Sequence, residues 1–223
     1  MKKHFIKLSS LLIIPILALC LAFSGCGKNK DGNANLSLGE VLSKLSDRTG
    51  DFKITGTGKV DNDELNYHST VEEVVYKVWS YNSYSYDKTS DGTKIWFTEK
   101  YFDSYNSKSY SRSRTEGATW GQCSTATTSN TNAFLSDADF RQISEDMFLT
   151  EGNVHTLNSA LTLSPYWDGW ISSLTTLKIE AKQNGASVSF SGNGVFNSVA
   201  VNVEFNFEIE FGQGYFATPR WIN

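Results

Sequence analysis

The chain has three cysteines, three histidines and no apolar run longer than thirteen residues, and each shortage closes off a class of answer. Leu11 to Phe23, preceded by Lys2, Lys3 and Lys7 and followed by the small pair Ser24 and Gly25, has the layout of a secretory signal. Thirteen residues fall short of the roughly 20 that span a bilayer, so a permanent transmembrane helix is the poorer reading. With residues 1–25 removed, Cys26 is the first residue and Cys123 the only other thiol, which excludes a disulfide framework. Only His68 and His155 then remain as imidazoles, in strand-like text, and neither stands in a Gly-x-Ser-x-Gly elbow or a His-Glu-x-x-His helix. Nor does either histidine, or Cys123, have a second ligand at zinc spacing. The expectation is a protein without catalytic residues, metal or cofactor.

Excess positive charge is also missing. Three of the 20 basic residues and none of the 24 acidic ones precede Cys26, leaving 17 against 24 and a net charge of −7 with histidine neutral. Nucleic acid is therefore not an expected partner. "FSGC", residues 23–26, resembles the lipobox of bacterial lipoproteins, with Phe23 where leucine is usual. The resemblance implies that the Cys26 thiol receives a diacylglyceryl group and tethers the protein to the cell membrane on its extracytoplasmic side. The expected organisation is a signal peptide at 1–25, a lipidated N-terminus and flexible tether at 26–35, and one domain at 36–223. The 198 residues left after processing are enough for a single core.

Within the domain, Ser37 and Glu40 have capping-box spacing, and Leu38, Val41, Leu42 and Leu45 recur at i, i+3, i+4, i+7, predicting a helix from Leu38 to Leu45. A second helix is expected over Ser136–Asp146, with Phe140, Ile143 and Met147 on one face. A third is expected after Ser164 and Pro165, with Trp167, Trp170, Ile171 and Leu174 as its apolar stripe. Between and after them the text alternates apolar with polar residues, and about nine to eleven strands are expected, with "SGNG" at 191–194 separating two of them. Val199, Val201, Val203, Phe205, Phe207, Ile209 and Phe211 share one face of the longest, a strand that must twist and coil around something. The fold class is α+β, one large curved antiparallel sheet with about three short helices.

This order of elements, from lipobox through tether, amphipathic helix and curved strands to a Trp-bearing helix and closing meander, resembles the LolA/LolB/LppX-like group of bacterial envelope lipoproteins over most of residues 36 to 219. The resemblance implies a half-open β-barrel with the helices packed on its concave face and a cavity for acyl chains. The expected function is thus a lipid-anchored envelope protein that binds a lipid or other apolar ligand, with Trp167, Trp170, Ile171, Val203, Phe205, Phe207 and Ile209 lining the site.

Other stretches read more plainly. "DNDE", Asp61 to Glu64, lies where a hairpin turn is needed and lacks calcium-loop spacing, and "GTGK" at 56–59 sits inside a strand pattern. Seven of the ten tyrosines fall between Tyr76 and Tyr110, interleaved with serine and asparagine. Such rings pair well across a sheet, and they also suit a sugar or protein surface, so an envelope glycan- or protein-recognition module is the alternative function.

Overall fold

The computed structural model describes residues 34–46, 50–127, 143–163, 171–196 and 198–222. Asn35–Asn223 is one compact unit. It is built on antiparallel strands that form a single curled, open sheet. In chain order the elements are α1 (Leu38–Ser46), β1 (Asp51–Asn62), β2 (Tyr67–Trp79), β3 (Asn82–Ser90), β4 (Ile95–Asp103), β5 (Lys108–Thr115), β6 (Ser124–Thr127), β7 (Phe148–Glu151), β8 (Val154–Leu157), β9 (Leu161–Thr162), β10 (Ile171–Lys182), β11 (Gly185–Phe196) and β12 (Val199–Phe211). Strand order is β6-β5-β4-β3-β2-β1-β12-β11-β10-β8-β7, with β9 paired to β10. Two meanders, β1–β6 and β10–β12, are therefore joined where β1 pairs with β12.

The capping box forms: Ser37 N donates to Glu40 Oε2 at 2.7 Å and Glu40 N donates to Ser37 Oγ at 3.2 Å. These two bonds satisfy N-terminal donors that the helix itself leaves open. Leu38, Val41 and Leu45 of α1 are buried against the sheet. Among the described residues α1 is the one α-helix, and none is long and apolar enough to cross a membrane.

Of the three expected helices, one is present among the described residues. Of the second, residues 136–142 lie outside the described residues; Ile143 and Ser144 are irregular and Glu145–Met147 is a single 3-10 turn. Of the third, residues 164–170 lie outside as well, but Ile171 and Leu174 belong to β10. The misreading has a physical cause. The β10–β11 register slips between Ile171 and Ser173 and again between Leu174 and Thr176, and each bulge inserts one residue. The buried positions then run 171, 174, 177, 179, 181, so the first part of a bulged strand carries the three-residue spacing of a helix.

β11 also runs straight through "SGNG". Gly192 lies against the backbone of Ser173 and Leu174, where a Cβ would have no room, so it serves the bulged β10 neighbour rather than a turn. "GTGK" lies in β1, where Gly56 and Gly58 stand directly across from Phe207 and Phe205 and leave space for their rings. "DNDE" ends β1 and enters its turn, in which Asn62 Oδ1 accepts from Leu65 N at 2.8 Å.

The apolar side chains of β12, β11, β10, β1 and β2 share one face with α1, Ile143, Phe148 and Leu163 and form a single core. Phe190, Phe205 and Phe207 sit at its centre with ring centroids 5.4–6.0 Å apart.

Candidate functional site

Val203, Phe205, Phe207 and Ile209, expected to line a ligand site, are brought together on this inner face, each at most 3% exposed. Ile171 joins the same core from the start of β10. Trp167 and Trp170 lie outside the described residues, as does Cys26.

The inner face changes character between β2 and β3. The two-residue turn Ser80-Tyr81, with φ of 49° and 69°, fixes the hairpin register so that Val78 faces Ser83, Tyr76 faces Ser85 and Val74 faces Asp87. One strand further, Asp87 faces Thr98 and Ser85 faces Lys100. The apolar wall of β2 thus continues into a polar stripe of Ser83, Ser85, Asp87, Thr98 and Lys100, flanked by Trp96 and Phe102. Ser83 and Ser85 are buried and Asp87 is half-buried. Burial pushes the Asp87 carboxyl up to about 6, against the opposing pull of the Lys100 ammonium. The sequence hid this stripe because the alternation of "SYSYD" fits either face; the turn gives the inner one to the serines.

A carboxyl held at about 6 keeps its proton in the folded protein where the unfolded chain has lost it, so its contribution to stability is complete below about pH 4 and is lost as pH rises through 6. Asp87→Asn should therefore be more stable than wild type at pH 7.5, by about 2 kcal/mol, with the difference shrinking towards zero near pH 4. Urea unfolding of both proteins at several pH values measures it; a variant no more stable at pH 7.5 would count against a desolvated carboxylate.

The tyrosines occupy the opposite, outer face of β3–β5, and the chain's own C-terminal segment crosses them. Phe216 packs on Tyr84 and Tyr101 at 6.0 and 6.1 Å, and Trp221 and Trp120 lie over the Arg112 guanidinium at 4.9 and 4.3 Å. Beneath them Tyr84 donates to Glu99 Oε1 at 2.8 Å and Arg112 Nε to Glu99 Oε2 at 2.6 Å. Burial, then the bond to Glu99, pushes the Tyr84 hydroxyl far up. Arg114 stacks on Phe97 at 4.1 Å. Much of the tyrosine-rich face is thus taken up internally. Trp79, Tyr81, Tyr105 and Tyr215 remain exposed.

Two polar hollows lie elsewhere. One, of about 400 Å³, crosses the outer face of β1 and β10–β12 over Thr55, Lys178, Ser187, Asn206 and Glu208. There Glu208 accepts from Lys182 Nζ at 2.6 Å and from Ser187 Oγ at 2.7 Å. The other, of about 380 Å³, lies between the start of α1 and the β7–β8 hairpin, beside Ser37, Glu145, Asn153 and His155. His155 is buried, its Nδ1 lies 3.0 Å from Thr150 Oγ1, and desolvation lowers its pKa, so it is held neutral. His68 sits at the surface 3.2 Å from Asp61. Nothing brings the two histidines together: His68 is on β2 and His155 on β8.

No protein-family model matches the chain, and no curated protein does. Among solved structures, the crystal structure of the ywiB protein from Bacillus subtilis is similar over 74% of this chain and 94% of that one, at 8% identity and a TM-score of 0.21.

Proposed function

We propose that this chain is a bacterial lipoprotein, anchored through Cys26 on the extracytoplasmic side of the membrane, whose domain is a half-open barrel that binds a lipid or another apolar ligand with a polar end. It acts as a binding protein, and no residue is assigned a catalytic role. The observation that carries the reading is the transition on the inner face of one continuous sheet. From β12 to β2 that face is close-packed and apolar; on β3 and β4 it holds Ser83, Ser85, Asp87 and Lys100 in partial shelter. Desolvating a carboxyl and an ammonium is costly, and a ligand head group that bonds to both would offset the cost. The apolar part of such a ligand would run from this stripe towards Tyr76 and the β2 wall.

The test is mass spectrometry of whatever copurifies with the full chain extracted from membranes, together with titration of an apolar fluorescent probe. Retained lipid, and probe affinity at least tenfold weaker in Lys100→Ala with the fold intact by circular dichroism, are the expected results. A lipid-free preparation that binds no probe would overturn ligand binding.

A further inference from the structure

Among the described residues the exposed aromatic side chains are not scattered. Tyr81 occupies the β2–β3 turn, Trp79 ends β2, and Tyr105 lies in the β4–β5 turn, 56%, 38% and 93% exposed respectively. Asn82 Oδ1 accepts from Ser104 N and from Ser104 Oγ, both at 3.0 Å, which ties the two turns side by side. Tyr215, 67% exposed, packs edge-on against Trp79 at 5.6 Å, and Gly214 N donates to Asp51 Oδ1 at 2.5 Å where β1 begins. The four exposed aromatics therefore form one rim at one end of the sheet. Among the described residues, the large exposed side chains at the opposite end are the aliphatic Leu65 and Val195.

The same end receives the chain from its N-terminus. Leu36 N donates to Lys182 O, at the last residue of β10, and β10 ends beside Gly185, Glu210, Phe211 and Phe52. Eight residues, nine Cα-to-Cα steps in all, separate Cys26 from Asn35. Even fully extended they reach about 30 Å, so a lipidated Cys26 confines this end of the domain to the neighbourhood of the bilayer.

On these two observations we infer that the rim of Trp79, Tyr81, Tyr105 and Tyr215 docks into the head-group layer of the membrane that holds the anchor, fixing the domain's orientation; the inference rests on the lipid-anchor reading above. Tyrosine and tryptophan belong at that depth because each ring combines apolar area with a polar group that stays hydrated. The charges that end the neighbouring strands are mixed, Lys108 and Lys182 beside Asp51, Asp103 and Glu151, so attraction to anionic lipid is not what holds the rim. Aromatic area would act alone, and the short tether makes a contact too weak for free association effective. The polar stripe of the inner face would then lie at a fixed height above the lipid.

The test uses the full chain in phosphatidylcholine nanodiscs carrying a gadolinium-chelate lipid, with 3-fluorotyrosine observed by fluorine NMR and assigned by single Tyr→Phe variants. Mass spectrometry of the same sample reads the modification on Cys26. Expected is strong broadening of Tyr81, Tyr105 and Tyr215 with Tyr67, at the far end, unaffected, and loss of the Tyr215 broadening in Tyr81→Ser/Tyr105→Ser. A lipidated chain whose tyrosines broaden equally, or not at all, overturns docking and leaves the anchor standing. An unmodified Cys26 overturns both. Rim resonances that ignore the lipid but shift when solubilised cell-wall glycan is added overturn docking in favour of a glycan surface.

Discussion

Cys26→Ala is expected to abolish incorporation of labelled fatty acid and to leave precursor with residues 1–25 still attached. One thiol accepts the diacylglyceryl group in a lipoprotein, and none of the neighbouring side chains replaces it. Ser24 and Gly25 are small enough to pass a signal peptidase, whereas at Cys20 the preceding Leu19 is not. The effect is all or nothing, and metabolic labelling followed by gel mobility reads both halves of it. Labelling that persists in Cys26→Ala would remove the anchor, and a labelled Cys20→Ser variant would show that the second cysteine plays no part.

The other large effect belongs to the core. Phe205 is 1% exposed, stacks nearly parallel to Phe207 at 5.7 Å, meets Phe190 at 5.4 Å, and lies over Gly58 on the adjacent strand. Phe205→Ala removes the ring and leaves a space that neither Gly58 nor the two remaining rings can fill, so a loss of about 3–5 kcal/mol is expected in urea or guanidinium unfolding. Because a glycine faces the ring, Phe205→Leu should recover part of the loss, and Gly58→Ala should cost about 1–3 kcal/mol by forcing the Phe205 ring aside. Were this face the wall of a ligand cavity, truncation would cost little in the empty protein and would change probe affinity instead. A loss below about 1 kcal/mol would put the cavity here rather than on β3 and β4.

Local chemistry was legible. The Ser37/Glu40 pair and the apolar stripe behind it give α1 within a residue of its end, the alternation at 199–211 gives β12, and turn residues such as Gly152 with φ +62° mark the hairpins. What misled is periodicity under non-local control. The β10 bulges answer to β11, and no local rule reveals that Ile171 and Leu174 share a strand face. The inner polar stripe was missed for a related reason: which face Tyr84 and Tyr86 take is decided by the turn that sets β3 against β2, while their own alternation fits either choice. The covering of Tyr84 and Tyr101 by Phe216 joins residues more than a hundred apart and left no trace in either segment.

The pairing of β1 with β12 also sets the order in which this chain can acquire structure. Lys53 and Glu210, joined at 3.1 Å, are 157 residues apart, and the ladder between their strands carries the centre of the core. Loop-closure entropy must be met before that contact contributes, so folding is expected to be slow compared with a helical domain of the same size. The β10–β12 meander and the β2–β3 hairpin close over short distances and can form first, whereas β1 keeps an apolar edge until the last strand arrives. During that interval the Phe205 face is open to any neighbouring chain. A protein of this topology is therefore most vulnerable to aggregation as it emerges, and its yield should respond to chaperone supply more than the stability of its finished fold would indicate.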